Sequence, residues 1–116
     1  ALFQAVLWTD GELPAQAFQL QTVDTLAQLG PWGQKFPAPV FEGRFKVIDY
    51  RWLKEVHLKL RLALENGQPI DAIAFNVRDK FNFDPMQDMV RIVYELDKNQ
   101  FNGNVSLQLR MLHLEQ

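Results

Sequence analysis

Cysteine is absent from the 116 residues, which excludes a disulfide framework and any thiolate metal site. Such a chain suits the reducing interior of a cell, and the expected localisation is cytoplasmic. No run approaches the roughly 18 consecutive apolar residues that a membrane span needs, and no basic, then apolar, then small-residue segment opens the chain. Neither membrane insertion nor secretion is expected. Only two histidines occur, His57 and His113, and neither has a partner at a metal-ligand spacing such as HxxxH. The glycines of "GPWG" and "NGQ" lack the GxxxxGK pattern of a phosphate loop and read as turns. Asp84 with Asp88, and Glu95 with Asp97, are the carboxylate pairs to weigh as acid and base. Strand alternation, however, puts Glu95 and Asp97 on an outer, solvated side. Intrinsic catalysis and a bound metal are therefore not expected of these residues. The chain opens on Ala1 rather than methionine, as expected of a piece cut from a longer protein.

What is present is a globular composition, 47% hydrophobic and 22% charged, of a size for one domain. The net charge of -2 conceals an uneven distribution. Residues 1–43 hold one cation, Lys35, against four anions, and residues 62–116 hold five cations against eight anions. Between them, Arg44, Lys46, Arg51, Lys54, Lys59 and Arg61 face only two anions. The basic charge of the molecule is concentrated in eighteen residues, 44–61.

Along the chain, "FQAVLWTDGEL" suggests a short strand entering an Asp-Gly turn. "PAQAFQLQTVDTLAQLG" suggests one amphipathic helix, with Pro14 in its first turn, Gly30 at its end, and Phe18, Val23, Leu26 and Leu29 on one face. "GPWGQKFPAPVFEG" then concentrates proline and glycine and marks a linker or packed loop. Beyond it the period changes to two. "RFKVIDYRWL", "HLKLRLAL", "IDAIAFNV", "MVRIVYELD" and "NVSLQLRMLHL" are five predicted strands, separated by turns and by the irregular "RDKFNFDPMQD". The fold class expected is mainly β, a five-stranded OB-fold Greek-key barrel preceded by a short strand and helix. Strand count alone leaves an SH3-like barrel or a small sandwich open.

In "HLKLRLAL", Leu58, Leu60, Leu62 and Leu64 share the predicted interior, leaving His57, Lys59 and Arg61 outside. In the preceding strand the phase is expected to slip at a bulge near Asp49. If the two strands form a hairpin, Arg44, Lys46, Lys59 and Arg61 converge on one outer surface. Facing like charges repel, so such a cluster implies a compensating anion, though cations that solubilise a surface or guard a sheet edge are the plainer reading. Single-stranded nucleic acid needs cations along its phosphates and aromatic faces under its bases. Tyr50, Trp52, Phe81, Phe83 and Phe101 are the rings to consider. Trp52 and Phe81 are favoured because Arg51, Lys54, Arg78 and Lys80 lie beside them in sequence.

"GPWGQKFPAPVF", "HLKLRL", "IDAIAFNV" and "YELDKNQFNGNVSLQLRMLHL", in this order and spacing, resemble the C-terminal part of the bacterial RecJ single-strand-specific exonucleases. The distinctive pieces are Gly30 to Gly33 with Pro37, Pro39 and Phe41; Ala74, Phe75 and Asn76; and Asn99, Phe101 and Gly103. The resemblance implies that residues 1–39 are the tail of the nuclease's DHHA1 lobe with a linker, and residues 40–116 its OB domain. It implies a non-catalytic fragment of a 5′-to-3′ exonuclease of DNA repair and recombination whose Mn2+ or Mg2+ is bound upstream. The partners expected are single-stranded DNA, the rest of the RecJ chain and a single-strand-binding protein, with no membrane. The contact set expected from the charged face is Arg44, Lys46, Arg51, Trp52, Lys54, His57, Lys59, Arg61, Arg78, Lys80 and Phe81. The alternative is a protein-interaction module that docks an acidic tail or braces the nuclease lobe.

Overall fold

The computed structural model describes residues 9–30 and 38–116. The strand expected within residues 3–8, and the part of the Pro/Gly-rich stretch at 31–37, lie outside the described residues. Alternating apolar residues build five strands: β1 (Phe41–Leu53), β2 (His57–Ala63), β3 (Pro69–Ala74), β4 (Met89–Phe101) and β5 (Asn104–Glu115). They close in the order β1-β2-β3-β5-β4, with β4 returning to β1. Every neighbour is antiparallel except β3 with β5. This Greek-key barrel is the OB fold, and it removes the SH3-like and sandwich alternatives.

The leucine alternation of β2 is the centre of the core. Leu58, Leu60 and Leu62 are completely buried, together with Ile92 and Tyr94 of β4 and Leu109 of β5. Burying such side chains removes most of their apolar surface from water, worth about 1.5–3 kcal/mol each. A register shift between Val47 and Asp49 leaves Ile48 as the extra, half-exposed residue. Phe45 on one side of the shift is buried, and the outward phase passes to Asp49 and Arg51 on the other. The predicted bulge is thus where the reading placed it.

Three elements depart from expectation. The segment 14–30 is not one helix: a 3-10 turn, Ala15–Ala17, is followed by extended backbone at Gln19 and then by α1 (Leu20–Gln28). The break lets Phe18 leave the helical path and enter the barrel, where its ring lies 6.1 Å from Phe45 and 6.0 Å from Tyr94. Leu26 packs on this core, whereas Leu29, expected on the same face, is exposed. β3 stops at Ala74, short of Phe75–Val77, because Asn76 adopts a left-handed φ of 56°. β4 runs on through Lys98–Phe101, which the sequence assigns to a turn. Only Asn102 and Gly103 form that turn, both left-handed (φ 51° and 79°), as a two-residue hairpin of the primed type requires.

The segment before β1 is pinned to the barrel. Asp10 N–H donates to the Val40 carbonyl at 2.7 Å, its carboxylate accepts from Val40 N–H at 2.9 Å, and Glu42 N–H donates to the Gly11 carbonyl at 3.0 Å. Lys98 forms an ion pair with Asp24 of α1. Phe18 and its neighbours therefore form a lid over one end of the barrel, with a cavity of about 460 Å³ between lid and wall.

Candidate nucleic-acid interface

The register of β1 with β2 decides which cations meet. Arg51 lies opposite Lys59, and Asp49 lies opposite Arg61. On the far side of β2, Ile73 lies opposite Lys59 and Asp71 opposite Arg61. Both β2 cations reach the same carboxylate: Lys59 Nζ is 3.9 Å from Asp71 Oδ2, and Arg61 Nη1 is 3.7 Å from Asp71 Oδ1. A shallow cleft of about 200 Å³ runs between Arg51, Lys59, Arg61, Asp49 and Asp71, with Tyr50 in its wall.

The fourfold cluster expected of the hairpin does not form. Lys46 lies opposite Ala63, beyond Arg61, and Arg44 lies opposite Arg91 of β4. The register set by the Leu53–His57 turn is the physical reason: it brings Arg51 opposite Lys59 and leaves Lys46 opposite Ala63. Arg91 is itself 3.6 Å from Glu42. Nor does the remaining group lack compensation, since Asp49 and Asp71 are part of it. Asp71 was legible as an outward residue of "IDAIA", but its pairing with Lys59 and Arg61 depends on register, which periodicity does not give.

A second group forms where the β1–β2 turn meets the segment after β3. Lys54 and Glu55 make the turn with left-handed φ of 50° and 62°. Val77 N–H donates to the Val56 carbonyl at 2.8 Å, tying that turn to residues 75–78. Arg78 is thereby laid over Trp52, its Cζ 4.6 Å from the ring centroid, a cation–π contact that fixes the indole and a guanidinium together. His57 Nδ1 accepts from Asn76 N–H at 3.0 Å, and its ring meets the edge of Phe75 at 5.4 Å. The Nδ1 of His57 is thus already engaged with the backbone of the segment after β3.

Phe75 is the ring that the sequence reading missed as a stacking candidate: it is 52% exposed beside this group. A ring placed just past the end of a strand's apolar alternation was the available signal. Phe81 is half-buried, packed on the core and 6.5 Å from His113. Lys80 is exposed in the same connection. Tyr50 meets Phe83 at 5.3 Å, and Phe101 stands 70% exposed at the far hairpin. Of the carboxylate pairs, Glu95 is held by Arg110 at 3.2 Å, and Asp97 accepts from Lys98 N–H at 2.8 Å. Among the described residues there is no cluster of His, Asp and Glu able to hold a metal, and no helix long and apolar enough to cross a membrane.

The family profile described as RecJ OB domain matches residues 9–113. The single-stranded-DNA-specific exonuclease RecJ of Haemophilus influenzae is 41% identical over 97% of this chain and 20% of its own length. That of Dickeya dadantii is 42% identical over 96% of this chain and 19% of its own. The crystal structure of RecJ from Thermus thermophilus in complex with Mn2+ superposes with a TM-score of 0.74 at 24% identity, over 95% of this chain and 16% of that one. The chain thus spans about a fifth of the length of the curated relatives it matches.

Proposed function

Because the chain belongs to the RecJ OB domain family, we propose that it is the part of a RecJ-type 5′-to-3′ exonuclease that holds single-stranded DNA and does not cut it. The parent enzyme would serve DNA repair and recombination in the cytoplasm, its Mn2+ or Mg2+ bound by residues upstream of these. The observation that carries the reading is the junction of Trp52 and Arg78, stacked at 4.6 Å, with the cation row of Arg51, Lys59 and Arg61 on the adjoining strands. A ring with a fixed guanidinium suits a base, and the exposed cations on the outer face of the same β1–β2 pair suit the phosphates that follow it. Phe75 supplies a further open ring, and Lys54 and Lys80 add exposed charge in the two loops that Val56 and Val77 join. Arg44 and Lys46 lie farther along β1 and would meet only the continuation of a longer strand.

Binding of this kind neutralises phosphates and reads no base edges, so it is sequence-tolerant and falls as salt rises. Fluorescence anisotropy with a labelled oligothymidylate at low and moderate salt tests it. The double variant Lys59→Glu/Arg61→Glu, still folded by circular dichroism, is expected to lose most of its affinity. Trp52→Ala is expected to weaken binding by about 1–3 kcal/mol, the worth of one stacked base. Unchanged affinity in both would overturn the reading. Displacement of the oligonucleotide by neither salt nor charge reversal, together with capture of an acidic peptide, would point to a protein-docking face instead.

A further inference from the structure

The contacts of Asp71 are unusual for a salt-bridging carboxylate. It touches two cations at once, yet at 3.7 and 3.9 Å neither contact is a hydrogen bond. Charge-assisted bonds from guanidinium or ammonium to an anionic oxygen close to about 2.7–2.9 Å when geometry allows. The antiparallel register sets Asp71 beside Arg61 with Lys59 on the diagonal, and one short carboxylate cannot close on both. Lys59 and Arg61 are thus held near each other without having their donors used. Asp49 is not equivalent, because its Oδ1 already accepts from Tyr50 N–H at 2.9 Å. Arg51 completes the cleft from the other strand with no carboxylate directly opposite it.

We propose that this cleft is the seat of a single backbone phosphate, bound by Arg51, Lys59 and Arg61, and that Asp71 is its built-in competitor. In the free protein Asp71 offsets the repulsion between two like charges that neighbour each other along β2. On binding, a phosphate oxygen takes the short bonds that Asp71 cannot make, and the carboxylate is displaced to solvent. The consequence is regulation of affinity. A cation row free of carboxylate would hold the strand tightly, whereas one that must exchange Asp71 for each arriving phosphate holds it loosely enough to let it slide. The inference rests on the reading above that the chain binds single-stranded DNA, and it specifies where one phosphate sits and what limits its hold.

The test is Asp71→Asn, which keeps the shape and removes the charge, assayed with oligothymidylate across a salt series. Asp88→Asn, an exposed carboxylate elsewhere on the barrel, gives the same change in net charge and serves as the reference. The expected result is an affinity about 3- to 10-fold tighter for Asp71→Asn at low salt, the release of two weak surface pairs. The slope of log affinity against log salt should stay the same, because the same single phosphate is seated in both chains. Asp88→Asn should change neither beyond a small uniform shift. Should Asp71→Asn fold poorly, Asp71→Ser carries the same expectation. Equal effects from Asp71→Asn and Asp88→Asn, or weaker binding in Asp71→Asn, would overturn the proposal while leaving the DNA-binding reading intact. No binding by the unsubstituted chain would overturn both.

Discussion

Tyr94 sits fully buried among Phe18, Phe41 and Phe45, with ring centroids 5.9–6.1 Å away, and its hydroxyl has no hydrogen-bond partner. Burial, with a smaller contribution from the Glu12 carboxylate, pushes the pKa of this phenol well above its ordinary value of 10.0. The folded state therefore binds the phenolic proton more tightly than the unfolded one. Stability from this source is complete below pH 10 and is lost as pH rises beyond it. Tyr94→Phe removes an unsatisfied group and keeps the ring. It is expected to melt at or slightly above the parent temperature at pH 7, and to lose part of the parent's decline in stability between about pH 10 and 12. Leu60→Ala, by contrast, empties a fully buried site and should destabilise the fold by about 2–5 kcal/mol, measurable by urea unfolding. The difference in kind between these two positions was half visible in the sequence. A period of two assigns Leu60 and Tyr94 alike to the interior, because side-chain direction is local. Whether a buried hydroxyl finds a partner depends on which elements converge there, and Phe18 and Glu12 come from more than seventy residues away.

Between residues, the element that governs the interface is the bulge at Ile48. Without it the outward phase of Phe41–Val47 would continue unbroken through β1, and Tyr50 and Trp52 would exchange faces with Asp49 and Arg51. Deleting Ile48 removes the unpaired residue and leaves Phe45, Val47, Tyr50 and Trp52 on one face, so the variant is expected to keep a sharp thermal transition and native-like circular dichroism; loss of the transition would show that the bend made by the bulge is itself required. The sequence displayed the slip, as two alternating patterns out of step around Asp49, because a bulge breaks periodicity in place. It did not display that Arg51 rather than Arg44 or Lys46 faces Lys59, because pairing is set by the partner strand. The helix break at Phe18–Gln19 was hidden for a related reason. Apolar spacing there fits a continuous helix, and only the burial gained by Phe18 inside the barrel favours the extended residue that follows.

At the scale of the whole molecule, the fold class and the five strands were legible from alternation, but strand count alone left an SH3-like barrel or a sandwich open, because the order of pairing depends on contacts distant in sequence. The partitioning of charge was only partly so. Counting along the chain isolates a basic stretch, but Asp71 comes from the acidic remainder and folds back into it. Net charge by segment therefore overstates the potential of the surface. Affinity for single strands is expected to be modest, falling steeply between about 50 and 200 mM salt in proportion to the few phosphates engaged, as an anisotropy titration would record.

The lid formed by residues 9–28 has a further meaning. Its hold on the barrel is entirely noncovalent along its length: the ring of Phe18, the strand-like bonds of Asp10 and Gly11, and the Lys98–Asp24 pair. Residues 1–30 and 38–116 supplied as separate polypeptides should therefore find each other, as halves of a split protein do, with Phe18→Ala in the short piece weakening their reassociation. The barrel would then carry a socket that is filled by the chain that leads into it.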